Sequence, residues 1–214
     1  MDMNALRYVV VEGAIGSGKT SLCRKLAELW HTELILEAAN ENPFIERFYA
    51  EPARYALATQ INFLFQRADQ LRPLAQPGLF SQRIVSDFLL DKDPLFARLN
   101  LTDDEFTLYE KLYGFLKPQA PAPDLVIVLQ ASVDTLQARV QKRGIRYERG
   151  IEAAYLARLS DAYTRHFHHY DEAPVMFVNT EGLNFVDDPA HLSLLIDRIR
   201  EMRGRRESFN WVDA

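Results

Sequence analysis

Apolar and polar positions follow two rhythms along the chain, and the switches between them predict strands alternating with helices. The run 6–11, rich in valine and tyrosine, predicts a strand buried on both faces. Three glycines follow, and 19–30 then shows helical spacing, with Leu22, Leu26 and Leu29 on one face. Residues 33–37 predict a second short strand. Asn42-Pro43 predicts a helix start, with Phe44, Phe48 and Tyr49 at helical spacing. A longer helix is expected over 52–71, before Pro73, Pro77 and Gly78 break the chain. Residues 83–87 predict a third strand, and 103–116 a helix capped by Thr102. Pro118, Pro121 and Pro123 form a stiff connector into 124–130, the clearest strand in the chain. A helix over 133–142 follows, with Ser132 as its cap, and then a basic loop between Gly144 and Gly150. The pattern closes with a helix over 151–170, a fifth strand over 174–178 and a helix over 191–202.

This order predicts an α/β fold with a five-stranded parallel sheet covered by helices on both faces. One domain is expected over 1–204, with 205–214 as a loose polar tail. Ligands of such sheets bind at the C-terminal ends of the strands. Residues 13–20, Glu37 and Asp87 all lie at such ends, so the topology brings them to one edge.

Composition narrows the partners. The 214 residues are 48% hydrophobic and 26% charged, with a formal net charge of -5. That balance speaks against non-specific nucleic-acid binding, while leaving room for a cationic pocket. Cys23 is the single cysteine, so no internal disulfide forms and a cytoplasmic location is expected. No leader pattern and no membrane-length apolar run stand out, so no membrane partner is expected.

The candidate chemistry starts with Gly13, Ala14, Ile15, Gly16, Ser17, Gly18, Lys19 and Thr20, which match G-x-x-x-x-G-K-[ST]. Glycines let the backbone amides turn inward toward anionic oxygens, at a helix N-terminus that favours them. Lys19 is placed to reach the outer phosphates of a nucleoside triphosphate, and Thr20 to put its hydroxyl on Mg2+. The guanine-reading Asn-Lys-x-Asp of GTPases and the strand-ending Asp-Glu of motor ATPases are absent from the sequence.

A small-molecule kinase needs a base, an acidic group near the metal and mobile cations. Glu37, at the end of the second strand, is the candidate base; the alternative is a solvated strand-end carboxylate. Asp87, at the end of the third, is the candidate metal group; the alternative is a loop or capping aspartate. Residues 139–149 carry five cations, including Arg139 and Arg143, and suit a lid closing over phosphates; the alternative is a basic surface turn. Gln60 and Arg67 are seven residues apart, two helical turns, so they share a face. Phe63 lies three residues from Gln60 on the same helix. His166, His168 and His169 read as a surface helix end rather than a metal site.

The motifs at 12–22, 42–49, 54–67 and 139–150 resemble those of the deoxyribonucleoside kinases, especially the bacterial deoxyadenosine/deoxyguanosine kinase branch. The resemblance spans about 8–178 and implies a P-loop kinase fold with a basic lid. It implies ATP-dependent phosphorylation of a deoxynucleoside 5′-hydroxyl, with Mg2+, in a homodimer. Carried over, it makes Glu37 the general base and assigns Tyr49 and Glu148 to the sugar 3′-hydroxyl. Gln60 matches the residue on the base edge, Arg67 a cation near the base and 5′ end, and Phe96 an aromatic against the base. Arg139 and Arg143 match lid cations. Two positions depart from the pattern: an arginine usually follows the acidic residue after the third strand, whereas here Asp87-Phe88-Leu89 stands, with Lys92 nearby, and Ile145 stands where a lid arginine is often found, with Arg146 beside it. The resemblance also carries Asp93 toward the base edge. Two other readings remain. One is a nucleoside monophosphate kinase like the thymidylate kinases, with Arg67 as its second phosphate clamp. The other is a nucleotide-binding regulatory protein with weak turnover.

Overall fold

The computed structural model describes residues 1–3, 5–75, 83–117, 120–185 and 187–211. The expected breaks at Pro77, Gly78 and Pro118 lie outside these.

The strands β1 (Tyr8–Gly13), β2 (Glu33–Ile35), β3 (Ile84–Ser86), β4 (Leu125–Gln130), β5 (Val175–Asn179) and β6 (Arg206–Asn210) form one sheet in the order β2-β3-β1-β4-β5-β6. Each neighbouring pair is parallel. The helices are α1 (Lys19–Trp30), α2 (Ile45–Ala50), α3 (Pro52–Leu71), α4 (Asp93–Asn100), α5 (Asp103–Leu116), α6 (Val133–Arg143), α7 (Ala153–His169) and α8 (Pro189–Glu201).

The period of two along β1 divides the core. Tyr8 and Val10 pack into one apolar layer with Leu64 of α3, Phe106 and Tyr109 of α5, and Leu156 and Phe167 of α7. Val9 and Val11 face the other layer, with Leu22 and Leu26 of α1 and Leu195 and Ile199 of α8. Fully burying a valine or leucine side chain contributes about 1.5–3 kcal/mol, so a strand buried on both faces anchors both layers. β1 lies between β3 and β4, where the chain switches from building one side of the sheet to building the other. A crevice opens at the C-terminal ends of strands at such a point.

Four details depart from the sequence expectation. The sheet has six strands, because Arg206–Asn210, expected within a loose tail, pairs in parallel with β5. Its side chains alternate exposed and half-buried, and backbone pairing rather than apolar patterning defines it. The eight-residue helix α4 is additional, with Pro94 in its first turn. β2 stops at Ile35, so Glu37 sits two residues beyond the strand. Leu29 is 50% exposed. The stripe that α1 buries is Leu22, Cys23, Leu26 and Ala27, and Leu29 lies roughly 90° from its centre at 100° per residue.

Candidate active site

β1 delivers the chain into the glycine loop, and α1 begins at Lys19. Gly13 and Gly16 hold positive φ values of 146° and 85°. A Cβ on Gly16 would stand 2.6 Å from the Leu136 carbonyl oxygen of α6, and one on Gly13 2.5 Å from that of Leu129. Glycine is therefore needed for both torsion and space. Ser17 donates its N–H to the Ala14 carbonyl at 3.1 Å, closing the turn. Lys19 curls back over the loop, its Nζ donating to the carbonyls of Gly13 at 2.8 Å and Ala14 at 3.1 Å. Burial, followed by the charge of Lys92, lowers the Lys19 pKa against the pull of Glu12, Glu37 and Asp87. An anionic phosphate would act with those carboxylates to keep Lys19 charged.

Asp87 follows β3 and ties two elements together. Thr20 donates its hydroxyl to Asp87 Oδ2 at 2.5 Å. The Glu37 N–H donates to Asp87 Oδ1 at 2.7 Å. One aspartate thus positions the backbone of the candidate base and meets the hydroxyl at the start of α1. A hydroxyl and a carboxylate oxygen side by side are the hard donors that Mg2+ takes.

Glu37 Oε1 accepts from Arg67 Nε at 2.7 Å, and Arg67 Nη2 lies 2.7 Å from the same oxygen. Lys92 Nζ lies 3.2 Å from it. The Glu37 side chain is 22% exposed and lines the cavity described below. Burial pushes its pKa up, but Arg67, Lys92 and Lys19 outweigh burial and bring it down to about 2. The carboxylate is therefore ionised throughout the physiological range. Arg67 is itself buried, and its Nη1 pairs with Asp93 Oδ2. Gln60, also buried, donates Nε2 to Asp93 Oδ1 at 2.6 Å, and Tyr109 donates its hydroxyl to that oxygen at 2.6 Å. The shared face of Gln60 and Arg67 is thus realised through Asp93.

A cavity of about 600 Å³ collects Glu37, Tyr49, Gln60, Arg67, Phe96 and Glu148 around Lys19, Thr20 and Asp87. Tyr49 stacks on Tyr147 with ring centres 5.5 Å apart. Phe96 stands edge-on to Tyr163 at 6.1 Å. Arg67 lies over the Phe63 ring at 4.8 Å. A second cavity of about 880 Å³ lies on the other side of the loop, lined by residues 16–22, Arg139, Arg143 and the segment after β5. Arg139 faces this side, donating to Thr180 Oγ1 at 2.9 Å and to the Thr180 carbonyl at 2.8 Å. Lys19, Thr20 and Arg143 line both cavities. The basic segment splits in two: Arg139 and Arg143 belong to α6, and a loop with a 3-10 turn at Arg146–Glu148 follows. Arg143 pairs with Glu148, and Arg146 reaches Glu46 of α2 at 3.4 Å. The loop therefore bridges the first cavity, which Glu148 lines, to α2. His168 stacks on Phe177 at 4.8 Å and His166 stands edge-on to Phe167 at 4.8 Å, so both rings pack against aromatics.

The deoxynucleoside kinase family model matches residues 9–203. The chain belongs to the deoxynucleoside kinase family. It is 28% identical over 205 residues to the deoxyguanosine kinase of Bacillus subtilis, covering 94% of this chain and 99% of that one. It is 29% identical over 195 residues to the deoxyadenosine kinase of Lactobacillus acidophilus, covering 85% and 89% of the two chains. Among solved structures, deoxyadenosine kinase from M. mycoides with bound dCTP matches with a TM-score of 0.78 at 24% identity, over 91% of this chain and 100% of that one. The chain is therefore a P-loop phosphotransferase of nucleoside salvage. Within this deoxynucleoside kinase, Phe88 is fully buried in the core, so the position expected to carry an arginine supplies no cation. Glu12, Tyr109 and Tyr163 are contributors that pattern reading missed. Glu12 left a signal, as a carboxylate placed directly after the run 6–11 read as buried on both faces. Tyr109 and Tyr163 left none, because an aromatic on a helix reads as core.

Proposed function

We propose that the enzyme transfers the γ-phosphoryl group of ATP to the 5′-hydroxyl of a purine deoxyribonucleoside, deoxyadenosine or deoxyguanosine. The observation that carries this reading is the meeting of the two cavities at Lys19, Thr20 and Arg143. A donor on the loop side and an acceptor beside Glu37 then face each other across one point. Residues 13–20 bind the donor phosphates, with Arg139 and Arg143 supplying lid charge. Glu37 takes the hydroxyl proton as the new bond forms. Tyr49 and Glu148 hold the 3′-hydroxyl. Gln60 has given its amide nitrogen to Asp93 and offers its oxygen to an exocyclic amino group of the base. Phe96 packs against the base plane. Thr20 and Asp87 would hold Mg2+, which, when bound, neutralises charge on the phosphate oxygens.

The purine preference is supported by the names of the relatives, deoxyguanosine and deoxyadenosine kinases. The monophosphate-kinase reading is disfavoured because Glu37 and Asp93 already engage Arg67, leaving it unsuited to clamp a second phosphate. A homodimer in the cytoplasm completes the proposal. Phe65 of α3 and Leu108 and Phe115 of α5 are exposed at 44%, 49% and 78%, and the last two share a helix face. The test is a panel of deoxynucleosides and nucleoside monophosphates with ATP and Mg2+, read by product mass. A deoxynucleoside monophosphate is the expected product. Diphosphates alone, or no phosphorylated product, would refute the proposal.

A further inference from the structure

Lys92 is a lysine that the fold has hidden. It is 1% exposed, at the end of a 3-10 turn, Leu90–Lys92. The preceding side chains Phe88, Leu89 and Leu90 are all at most 2% exposed, so the turn is anchored in the core. A buried ammonium is costly unless it is paired. Lys92 Nζ lies 3.5 Å from Glu12 Oε1 and 3.2 Å from Glu37 Oε1. Among the described residues these are its two ion-pair partners.

Glu12 is itself fully buried and rigidly held. Its oxygens accept from the Leu89 N–H at 2.6 Å, the Tyr163 hydroxyl at 3.1 Å and the Gly13 N–H at 3.3 Å. Those donors come from three different parts of the fold, so the carboxylate has little freedom. If Lys92 served only to neutralise Glu12, its ammonium would have no need to reach the cavity. Instead it lies nearer to Glu37 and lines the acceptor cavity with Lys19 and Asp87. Arg67 is already bound on all three nitrogens, with Nε and Nη2 turned to Glu37 and Nη1 to Asp93. An ammonium has three donors, and the two carboxylates leave one for an incoming oxygen.

We infer that Lys92 is a catalytic cation, aimed by the positioning residue Glu12 at the oxygens of the phosphoryl group in transfer. The inference rests on the kinase reading of the site. In the step it serves, the acceptor O–H bond breaks and its proton passes to the Glu37 carboxylate. The acceptor oxygen bonds to the γ-phosphorus as the bridging P–O bond breaks. That bond's electron pair leaves with the nucleoside diphosphate. Lys92 is not consumed; its fixed charge stabilises the equatorial oxygens, where negative charge spreads.

The experiment compares the parent with K92M, E12Q and the double variant E12Q/K92M. It reads kcat, KM, deoxynucleoside Kd by calorimetry, and thermal stability. K92M is expected to lower kcat by ~100- to 1000-fold while Kd stays within about threefold. E12Q is expected to lower kcat without raising the deoxynucleoside KM, a split that loosened packing would not give. The double variant leaves no charge of this pair unpaired, so it keeps the test open if K92M folds poorly. It is expected to regain stability and stay slow. A double variant whose kcat is within about threefold of the parent's overturns the inference. Equal losses of kcat and deoxynucleoside affinity also overturn it. A parent that phosphorylates no nucleoside would overturn the kinase reading as well, whereas an active parent with an indifferent K92M sinks the Lys92 role alone.

Discussion

Glu37 keeps its charge because two cations face one of its oxygens, Arg67 at 2.7 Å and Lys92 at 3.2 Å. Burial alone would raise its pKa, yet the cations hold it near 2, below the ordinary 4.5. A lowered carboxylate pKa stabilises the fold above the unfolded value, and that contribution fades as pH drops through the folded one. The parent should therefore show a full stability advantage over Glu37→Gln above pH 4.5, declining as pH falls toward 2. A shift of this size is worth on the order of 3 kcal/mol when fully expressed. Urea unfolding of both proteins between about pH 3 and 6 measures it, and a pH-independent difference would contradict the ion-pair geometry. Pattern reading located Glu37 at a strand end and put Gln60 and Arg67 on one helical face. What it could not read was Asp93 as the group joining them. That network also depends on Tyr109, sixteen residues further on and on another helix.

At the scale of elements, the strands most legible from sequence were β1, β4 and β5, where apolar runs are nearly unbroken and almost every side chain is buried. β6 carries Arg206-Glu207-Ser208-Phe209-Asn210, and only Phe209 packs onto the core. Its identity as a strand is decided by β5 beside it, a tertiary effect that local pattern does not encode. The short helix α4 carries its signal in Pro94, in its first turn. β6 also has a task. Trp211, just past it, borders Gly182, where an added Cβ would meet the indole at 3.7 Å, and Gly182 lines the donor cavity. A chain ending at Arg205 should raise the KM for ATP roughly tenfold and leave the deoxynucleoside KM within about twofold. Its melting temperature should fall by roughly 5 °C. Equal changes in both KM values would mean that the strand supports the fold without bracing the donor side.

Across the whole molecule, a net charge of -5 coexists with a cationic centre. Lys19, Arg67, Lys92 and Arg143 line the acceptor cavity, where β1 passes between β3 and β4. This is why a net acidic chain can bind polyphosphate: the local field, not the sum, sets the affinity. The gathering of the phosphate loop, Glu37 and Asp87 at one sheet edge followed from the alternation of strands and helices. The division into two cavities joined at Lys19, Thr20 and Arg143 did not, since it depends on how α6 and the loop after it fold back. The proposed reaction turns on Glu37 taking the proton of a deoxynucleoside held in the smaller cavity. Turnover and deoxynucleoside binding of Glu37→Gln, measured side by side, test this most directly. We predict that kcat falls by ~100- to 10,000-fold while Kd for the deoxynucleoside changes by less than about threefold. Near-parental turnover, or a loss confined to binding, would contradict it.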